Sequence, residues 1–482
     1  MKHKPILIVA FAMFLITSIS AQTVKPNIIL FIADDVSWDD LGCYGNRDVK
    51  TPNIDKLASQ GIRFDNFFLT ASSCSPSRNS IITGRYPHNT GACELHTEPP
   101  LEMVSFPEIL RQNGYYTAQS GKFHMGKYAM RGFDETSEGK EIGDGGEELW
   151  LETIKNRPKE KPFFFWFAAL DAHRPWGINP FSGIHDSTQI TPPDYLVNGQ
   201  KTRTDLSHYY DEIARFDNYI GLIAEELKRQ NELENTLILI MADNGRPFPH
   251  SKTRVNDRGM KTPFIAFWPD GIGTERRVCN GLVSAIDIAP AILELAGTKI
   301  PESIQGVSFA KLLKNPENSF RSYVFAEHNW HDYEAHERMV RTNEFLFILN
   351  SRPQFTNLGP ADAVGSPSFA DLTELKNEGK LSKEQAEIFI EPRPTEELYF
   401  NVNDKNQFKN LAFQEKYKEK QNELKLILLE WMNETGDNIP GKLTADWYEK
   451  TPGYIKTTEF GIRGEMPGKA KSATKNNNKG KF

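Results

Sequence analysis

Residues 26–35 read PNIILFIADD, an apolar run that ends in two carboxylates, Asp34 and Asp35. Two later stretches have the same form: KPFFFWFAALDAH at residues 161–173 and NTLILIMADNG at residues 235–245. Runs that are apolar on both faces are typical of parallel strands covered by helices. With helical patterns lying between them, these stretches predict an α/β fold whose large, mixed, mostly parallel sheet is sandwiched by helices.

Polar side chains follow each of these predicted strands. Asp34 and Asp35 end the first, Asp243 and Asn244 end the last, and His173 follows the aromatic one. Because the carboxyl ends of parallel strands meet at one edge of a sheet, we expect these side chains to converge there. Carboxylate and amide oxygens suit calcium or magnesium. Such residues also serve as ordinary turn and cap residues, so the pairs alone leave both interpretations open.

Composition excludes several classes of protein. The 64 acidic residues outnumber the 57 basic ones, giving a formal net charge of −7. An acidic surface argues against a nucleic-acid partner, which requires basic patches. Four cysteines are too few for a disulfide scaffold, and none form a CxxC pair that would indicate zinc. These cysteines are Cys43, Cys74, Cys93 and Cys279.

The first 21 residues predict a secretory signal peptide. Lys2 and Lys4 precede an apolar run over residues 6–19, and small residues follow up to Ala21. A membrane anchor is the alternative, but the run is shorter than the roughly 20 residues that a span requires. The pattern favours an exported protein, periplasmic or secreted, with no membrane anchor after the signal is cleaved.

The rest of the chain divides into three predicted parts. Residues 22–318 form a catalytic domain, and residues 319–467 form a smaller α+β domain with a short antiparallel sheet and an amphipathic helix over Glu415–Met432. The last stretch, residues 468–482, is rich in Lys, Asn and Gly, which predicts a disordered tail.

One short segment connects this fold to chemistry. Residues 72–92 read SSCSPSRNSIITGRYPHNTGA, in which Cys74 begins C-x-P-S-R and Thr83 begins T-G-R. This resembles the signature of type I, formylglycine-dependent sulfatases, which have an alkaline-phosphatase-like fold. The resemblance implies that a maturation enzyme oxidises Cys74 to the aldehyde formylglycine (3-oxoalanine). It also implies that Arg78 holds the hydrated aldehyde and that T-G-R closes the helix.

Further segments extend the resemblance over most of the chain. GKFHMG at residues 121–126 and ALDAHRPW at residues 169–176 resemble family segments, as does HSKTRVNDRGMKTPFIAFWP at residues 250–269. Arg258 replaces one of the family's paired glycines in the last of these, a departure that could reshape the loop. The catalytic set that the resemblance implies is Cys74, Arg78, Lys122, His124, His173 and Lys252. The implied ligands of one Ca²⁺, with Mg²⁺ as an alternative, are Asp34, Asp35, Cys74, Asp243 and Asn244.

The resemblance also implies a mechanism. The hydrated aldehyde attacks sulfur, one histidine donates a proton to the departing oxygen, and the other takes the proton of the second hydroxyl as sulfate leaves. We assign the first role to His173 and the second to His124, although the two could be exchanged.

The resemblance also bears on the substrate. We expect an exported sulfatase that hydrolyses sulfate esters of a sulfated polysaccharide or its oligosaccharides, such as algal ulvan or a glycosaminoglycan. DNGRPFP at residues 243–249 resembles the sulfamidase branch, so an N-sulfoglucosamine sulfohydrolase is an alternative. Candidate substrate residues are His96, Trp176, His328, Trp330, His331 and Arg341.

Two other classes of protein are alternatives. One is a phosphatase or phosphonate hydrolase of the same superfold, since phosphate and sulfate share size and tetrahedral shape. A dizinc phosphatase would need additional His and Asp ligands in paired metal sites, and the sequence offers none in an evident pattern. A non-catalytic carbohydrate-binding protein would predict a degraded signature, whereas Cys74, Arg78, Lys122 and His124 are all present.

Overall fold

The computed structural model describes residues 25–450 and 455–482, so the predicted signal peptide lies outside the described residues. The strands are β1 Asn27–Ala33, β2 Ile62–Phe64, β3 Phe67–Phe68, β4 Tyr116–Gly121, β5 Glu135–Ser137, β6 Phe163–Ala168, β7 Thr236–Ala242, β8 Phe264–Phe267, β9 Arg277–Cys279, β10 Val283–Ser284, β11 Val324–Trp330, β12 Glu334–Arg341, β13 Phe345–Asn350 and β14 Glu396–Phe400. The helices are α1 Pro52–Ser59, α2 Cys74–Thr83, α3 Pro87–Thr90, α4 Phe106–Gln112, α5 Trp150–Asn156, α6 Gln200–Arg229, α7 Asp257–Met260, α8 Pro269–Ile272, α9 Ile288–Leu295, α10 Ala310–Lys314, α11 Ala361–Val364, α12 Pro367–Asn377, α13 Lys383–Ala386 and α14 Lys418–Thr435.

An eight-stranded sheet forms the centre of the large domain, in the order β5-β4-β6-β1-β7-β8-β2-β9. β1 pairs in parallel with β6 and β7, while β8 runs antiparallel to β7 and β2. Every residue of β1, β6 and β7 is buried, as their apolar sequences predict. The predicted fold class is therefore confirmed.

Alternate side chains of β1 pack into two separate hydrophobic cores, one on each face of the sheet. Ile28, Leu30 and Ile32 pack with residues of α2, α4 and α9 on one face. Ile29 and Phe31 pack with α1, α5 and the 30-residue α6 on the other. Covering both faces with helices removes the apolar strands from water. Across residues 25–450 and 455–482, no helix is both long enough and apolar enough to cross a membrane.

Strand register places the polar segments at one edge of the sheet. The backbone N–H of Asp34 donates to the carbonyl of Asp171 at 2.7 Å. The N–H of Asp243 donates to the carbonyl of Ala33 at 3.1 Å. These bonds continue the ladder just beyond the strand ends, so the three predicted polar clusters do converge.

A second, four-stranded antiparallel sheet, in the order β11-β12-β13-β14, follows in the C-terminal part. α14 packs on it through Leu424, Leu428 and Trp431, as the predicted amphipathic helix requires. The helix begins at Lys418 after a short 3-10 turn and ends at Thr435, three residues beyond the predicted end. A domain boundary near residue 318 stays a prediction.

The tail differs from the expected disorder. Residues 468–482 contain two 3-10 turns, Lys469–Lys471 and Ala473–Lys475. Arg85 donates to the carbonyls of Thr474 and Asn476 at 3.1 and 2.8 Å, and Asn89 donates to that of Ala473 at 2.8 Å. A polar segment stays disordered when its backbone groups find no hydrogen-bond partners. Here Arg85 and Asn89 of the large domain supply those partners to the tail.

Candidate active site

The segment that carries the signature forms α2. Cys74 is the first residue of the helix, is only 2 % exposed, and lies at the edge where β1 and β7 end. The helix ends at Gly84, which has a φ of +64°. A Cβ atom there would approach Ile304 Cγ2 to 2.9 Å, so glycine suits both the backbone conformation and the space. The predicted end of the helix at T-G-R is therefore observed.

Three carboxylates and one amide surround the thiol. Asp34 Oδ1 lies 3.6 Å from Cys74 Sγ. The chain bends sharply at Asp35, whose φ is +61°, and the Asp35 N–H donates to Asp243 Oδ1 at 3.2 Å. The side-chain N–H of Asn244 donates to Asp35 Oδ1. The predicted metal ligands are thus brought together around Cys74.

This group fits a hard cation. Ligand atoms of Asp34, Asp35 and Cys74 all lie within 4.8 Å of one another, and the three residues are buried. Asn244 Oδ1 is also buried and lacks a hydrogen-bond partner among the described residues. An orphaned amide oxygen beside clustered carboxylate oxygens is the donor set that calcium and magnesium prefer.

Two cations, the buried Arg78 and the partly buried Lys122, contact these carboxylates. Arg78 Nε donates to Asp243 Oδ2 at 2.8 Å, and Nη1 donates to the Lys122 carbonyl at 3.0 Å. The Lys122 ammonium donates to Asp34 Oδ2. Burial by itself would raise the pKa of Asp34, but the Lys122, His173 and Arg78 charges outweigh it and hold that pKa below its usual range.

Lys252 lies deeper and contacts a residue that sequence reasoning missed. Its Nζ donates to Asp35 Oδ2 at 2.7 Å and to Asp362 Oδ2 at 2.8 Å. Asp362 belongs to α11, in the stretch where the family resemblance is thin. No motif marks it, because an Asp in the first turn of a short helix resembles an ordinary helix-end residue.

The histidines form two groups. His124 Nε2 lies 2.9 Å from His96 Nδ1. His173 Nε2 lies 3.8 Å from both Asp35 Oδ2 and Asp362 Oδ2. Burial and the Lys122 charge lower the pKa of His124 to about 2, while burial and Lys252 lower that of His173 to about 4. Both rings are neutral at neutral pH when no anion is bound.

A catalytic cavity of about 680 Å³ opens above these groups. Asp34, Cys74, Lys122, His124 and His173 line it. Arg78 and Lys252 lie behind its wall, where neither side chain is exposed. The predicted residues therefore divide into those that face the cavity and those that support them from the protein interior.

The candidate substrate residues divide in the same way. His96 and His331 line the catalytic cavity, and Trp176 lines a neighbouring one. The other three candidates do not line it: His328 faces Glu337, Trp330 packs with Leu95, and Arg341 pairs with Asp257.

The far wall of the catalytic cavity is acidic and was not predicted. Arg215 donates to both Asp171 oxygens at 2.6 Å and to Glu212 Oε2 at 2.5 Å. Asp144 also lines this wall. Burial and the neighbouring Asp171 raise the pKa of Glu212 to about 9, so its carboxyl group carries a proton at neutral pH.

Comparisons with known proteins show the family to which the chain belongs. A family model described as Sulfatase matches residues 26–145 and 147–298, more than half of the chain. A second, described as N-sulphoglucosamine sulphohydrolase, C-terminal, matches residues 250–351. Fold, site and matches together define a sulfuric ester hydrolase. The chain belongs to the sulfatase family, and within it to the type I sulfatases.

Two curated relatives resemble nearly the whole chain. An ulvan-active sulfatase of Formosa agariphila is 30% identical over 476 residues, covering 86% of this chain and 76% of the relative. The human N-sulphoglucosamine sulphohydrolase is 27% identical over 459 residues, covering 85% and 90%.

Solved structures share the fold. One, determined in complex with its substrate D-glucosamine-2-N,6-O-disulfate, has a TM-score of 0.69 at 21% identity and covers 85% of this chain and 98% of its own. A phosphonate monoester hydrolase from Silicibacter pomeroyi has a TM-score of 0.67 at 18% identity and covers 86% and 98%. At such identities the likeness describes the fold alone.

Proposed function

We propose that this sulfatase is exported and removes sulfate esters from a sulfated polysaccharide or its oligosaccharides, with formylglycine formed from Cys74. The observation that carries the proposal is the position of Cys74. It begins a helix at the sheet edge, lies 3.6 Å from Asp34, and lines a cavity with Lys122 and two histidines.

The state of the thiol supports its conversion. Burial raises the pKa of Cys74 well above its usual value, so the unmodified side chain is a neutral thiol and a poor nucleophile. An aldehyde hydrate at this position supplies a hydroxyl that can attack sulfur and a second hydroxyl whose deprotonation expels sulfate. A maturation enzyme is the partner that this conversion requires.

Asp34, Asp35, Asp243 and Asn244, with residue 74, would hold calcium, and magnesium is the alternative. When bound, the cation polarises a sulfate oxygen and lowers the pKa of a coordinated hydroxyl. Asp34 and Asp243 each also face a buried cation, Lys122 and Arg78 respectively. Both contacts orient the carboxylates before any cation arrives, and Lys122 keeps Asp34 ionised, whereas burial raises the pKa of Asp243 to about 6 despite Arg78.

The remaining residues act on charge and protons. Lys122 lines the cavity and would neutralise sulfate oxygens in the transition state, whereas Lys252 acts from behind Asp35. Arg78, which donates a hydrogen bond to Asp243, would hold residue 74 in place. His173, neutral in the free site, would donate a proton to the departing sugar oxygen only after it is protonated beside the bound sulfate anion, and His124 would accept the proton that leaves residue 74. The two histidine roles could be exchanged.

Two observations bear on the substrate. The cavity volume of about 680 Å³ accommodates a sugar residue. The relatives named for ulvan and for N-sulphoglucosamine support a sulfated carbohydrate. The match of residues 250–351 to the N-sulphoglucosamine sulphohydrolase model favours an N-sulfo linkage as the second candidate.

Mass spectrometry of the peptide that contains Cys74, on protein made with the maturation enzyme, tests the first step. We expect a loss of about 18 Da relative to the thiol. Sulfate release from ulvan and heparan sulfate oligosaccharides then tests the substrate, and a new free amine distinguishes N-sulfate from O-sulfate hydrolysis. Active protein with an unmodified thiol would overturn the formylglycine proposal.

A further inference from the structure

A second cavity of about 660 Å³ lies beside the catalytic one, and we call it the side cavity. It shares Arg174 and Pro175 with the catalytic cavity, so these two residues form a ridge between them. His173, the proposed proton donor, directly precedes this ridge and lines the catalytic cavity. The side cavity is lined by Arg174, Pro175, Trp176, Gln200, Lys201, Thr204, Asp205, His208, Asp362, Gly365, Ser366 and Pro367.

Specific contacts fix the position of the Arg174 side chain in the ridge. Arg174 forms a two-pronged ion pair with Asp205 at 2.7 Å for both bonds, and its Nε donates to the Pro247 carbonyl at 2.9 Å. The guanidinium carbon also lies 3.8 Å from the centre of the Trp176 ring. Bidentate and stacked contacts of this kind define one position for an Arg side chain.

Carboxyl groups line both cavities. Asp144, Asp171 and Glu212 line the far wall of the catalytic cavity, where Arg215 is the cation that pairs with two of them. Arg215 compensates Asp171, and the Glu212 carboxyl carries a proton at neutral pH, so this wall is only weakly anionic.

In the side cavity the carboxylates are likewise paired. Asp205 is bound by Arg174 and by the Ser368 hydroxyl at 2.6 Å, and Asp362 by Lys252. Lys201, Thr204 and His208 occur at helical spacing along one side of α6 and line the cavity. Lys201 also pairs with Glu374, but that contact is solvent-exposed and therefore weak.

We propose that the side cavity binds the sugar residue next to the one that loses sulfate, through the sulfate or carboxylate of that neighbour. This inference rests on the proposed function. When a sugar binds with its leaving oxygen facing His173, the neighbouring sugar of the same oligosaccharide can extend across the ridge into the side cavity. There the neighbour meets Lys201, His208 and the partly exposed ring of Trp176. The enzyme therefore acts on a sulfated sugar within an oligosaccharide in preference to the isolated monosaccharide.

The test compares kcat/KM on a size series, monosaccharide to tetrasaccharide, prepared from heparan sulfate and from ulvan. We expect the wild-type enzyme to favour the longer members. In a Lys201→Ala/His208→Ala double variant, the ratio of longer to monosaccharide substrate should fall about 100-fold, mainly through KM, since each of the two lost charge-assisted hydrogen bonds contributes roughly tenfold. Lys201→Arg should preserve the ratio, because it keeps the charge.

Lys228→Ala, an exposed substitution near the other end of α6, is the matched control and should leave the ratio unchanged. Melting temperatures verify that each variant folds. A wild-type ratio of one, or a double variant that keeps the wild-type ratio, overturns the side-cavity proposal alone. Hydrolysis of 4-nitrophenyl sulfate without sulfate release from any saccharide instead overturns the proposed substrate class, and the side-cavity proposal with it.

Discussion

Asp362 Oδ2 accepts a 2.8 Å hydrogen bond from Lys252 Nζ, which joins two residues 110 positions apart. The Lys252 ammonium is buried and also donates to Asp35 at 2.7 Å. Two carboxylates thus compensate one buried charge, and one of them comes from α11, beyond the residues that the Sulfatase family model matches. The C-terminal part of the chain therefore helps to complete the catalytic site.

Replacing Asp362 by Asn should lower kcat/KM for 4-nitrophenyl sulfate by about tenfold or more, because Lys252 and His173 lose the charge that positions them. The free energy of unfolding should fall by about 1.5–3 kcal/mol, the usual contribution of a hydrogen bond to a charged group. Steady-state kinetics and urea denaturation measure the two effects. Asp270→Asn, at an exposed position, is the control, and an unchanged kcat together with an unchanged pH profile would contradict a positioning role.

His124→Ala and His173→Ala should each reduce kcat by on the order of 100-fold, the typical contribution of general acid–base catalysis. An aryl sulfate with a good leaving group should be affected less by loss of the proton donor than a sugar sulfate, because its departing oxygen needs less protonation. Comparing the two substrates for each variant assigns the roles of His124 and His173. Full turnover in both variants would contradict their catalytic assignment.

Removal of divalent cations should lower the melting temperature and abolish turnover. Asp34, Asp35 and Asp243 are fully buried together, so a bound cation stabilises the folded state by mass action, about 2.7 kcal/mol at a hundredfold excess over Kd. Differential scanning fluorimetry with EDTA, then with calcium or magnesium added back, needs no active enzyme. Asp35→Asn should weaken the cation-dependent shift and Asp270→Asn should not. A melting temperature indifferent to chelator and calcium would contradict the metal site.

Deleting residues 472–482 should destabilise the protein by about 3 kcal/mol, because the buried Arg85 guanidinium loses its acceptors at Thr474, Asn476 and Asn477. Burial already lowers the pKa of Arg85 to about 10. Chemical denaturation measures the loss. Deleting only residues 481–482 keeps those three acceptors and serves as the control; equal denaturation midpoints for the two deletions would show that the tail contributes nothing through Arg85.

His336 should make stability depend on acid. Burial and the Arg338 charge lower the pKa of this histidine to about 3, below its value near 6.5 in an unfolded chain. The stability that the neutral folded form contributes is complete above about pH 6.5 and is lost as the pH falls toward 3. The loss amounts to about 2 kcal/mol at pH 5. His336→Leu should therefore tolerate acid better than the wild type. Parallel plots of unfolding free energy against pH for the two proteins would contradict this.

Much of the molecule could be predicted from the sequence because the relevant signals are local. Apolar runs ending in carboxylates indicated parallel strands, and the resemblance of residues 74–85 to the family signature implied the helix that positions Cys74. Strands of a parallel sheet end at a common edge, so the convergence of Asp34, Asp243 and their neighbours required no knowledge of the tertiary structure.

Tertiary structure alone decided which distant side chains meet. Asp362 contacts Lys252, and Asp171 contacts Arg215 at the acidic wall of the catalytic cavity. Both contacts arise from packing that no local sequence pattern encodes. Arg341, a candidate for substrate binding, instead pairs with Asp257. The tail is ordered because Arg85 and Asn89 bind its carbonyls. The sequence determined the local conformations and the chemistry of the signature, whereas long-range contacts arise only when burial forces each charged or hydrogen-bonding group to find a partner within a few ångströms.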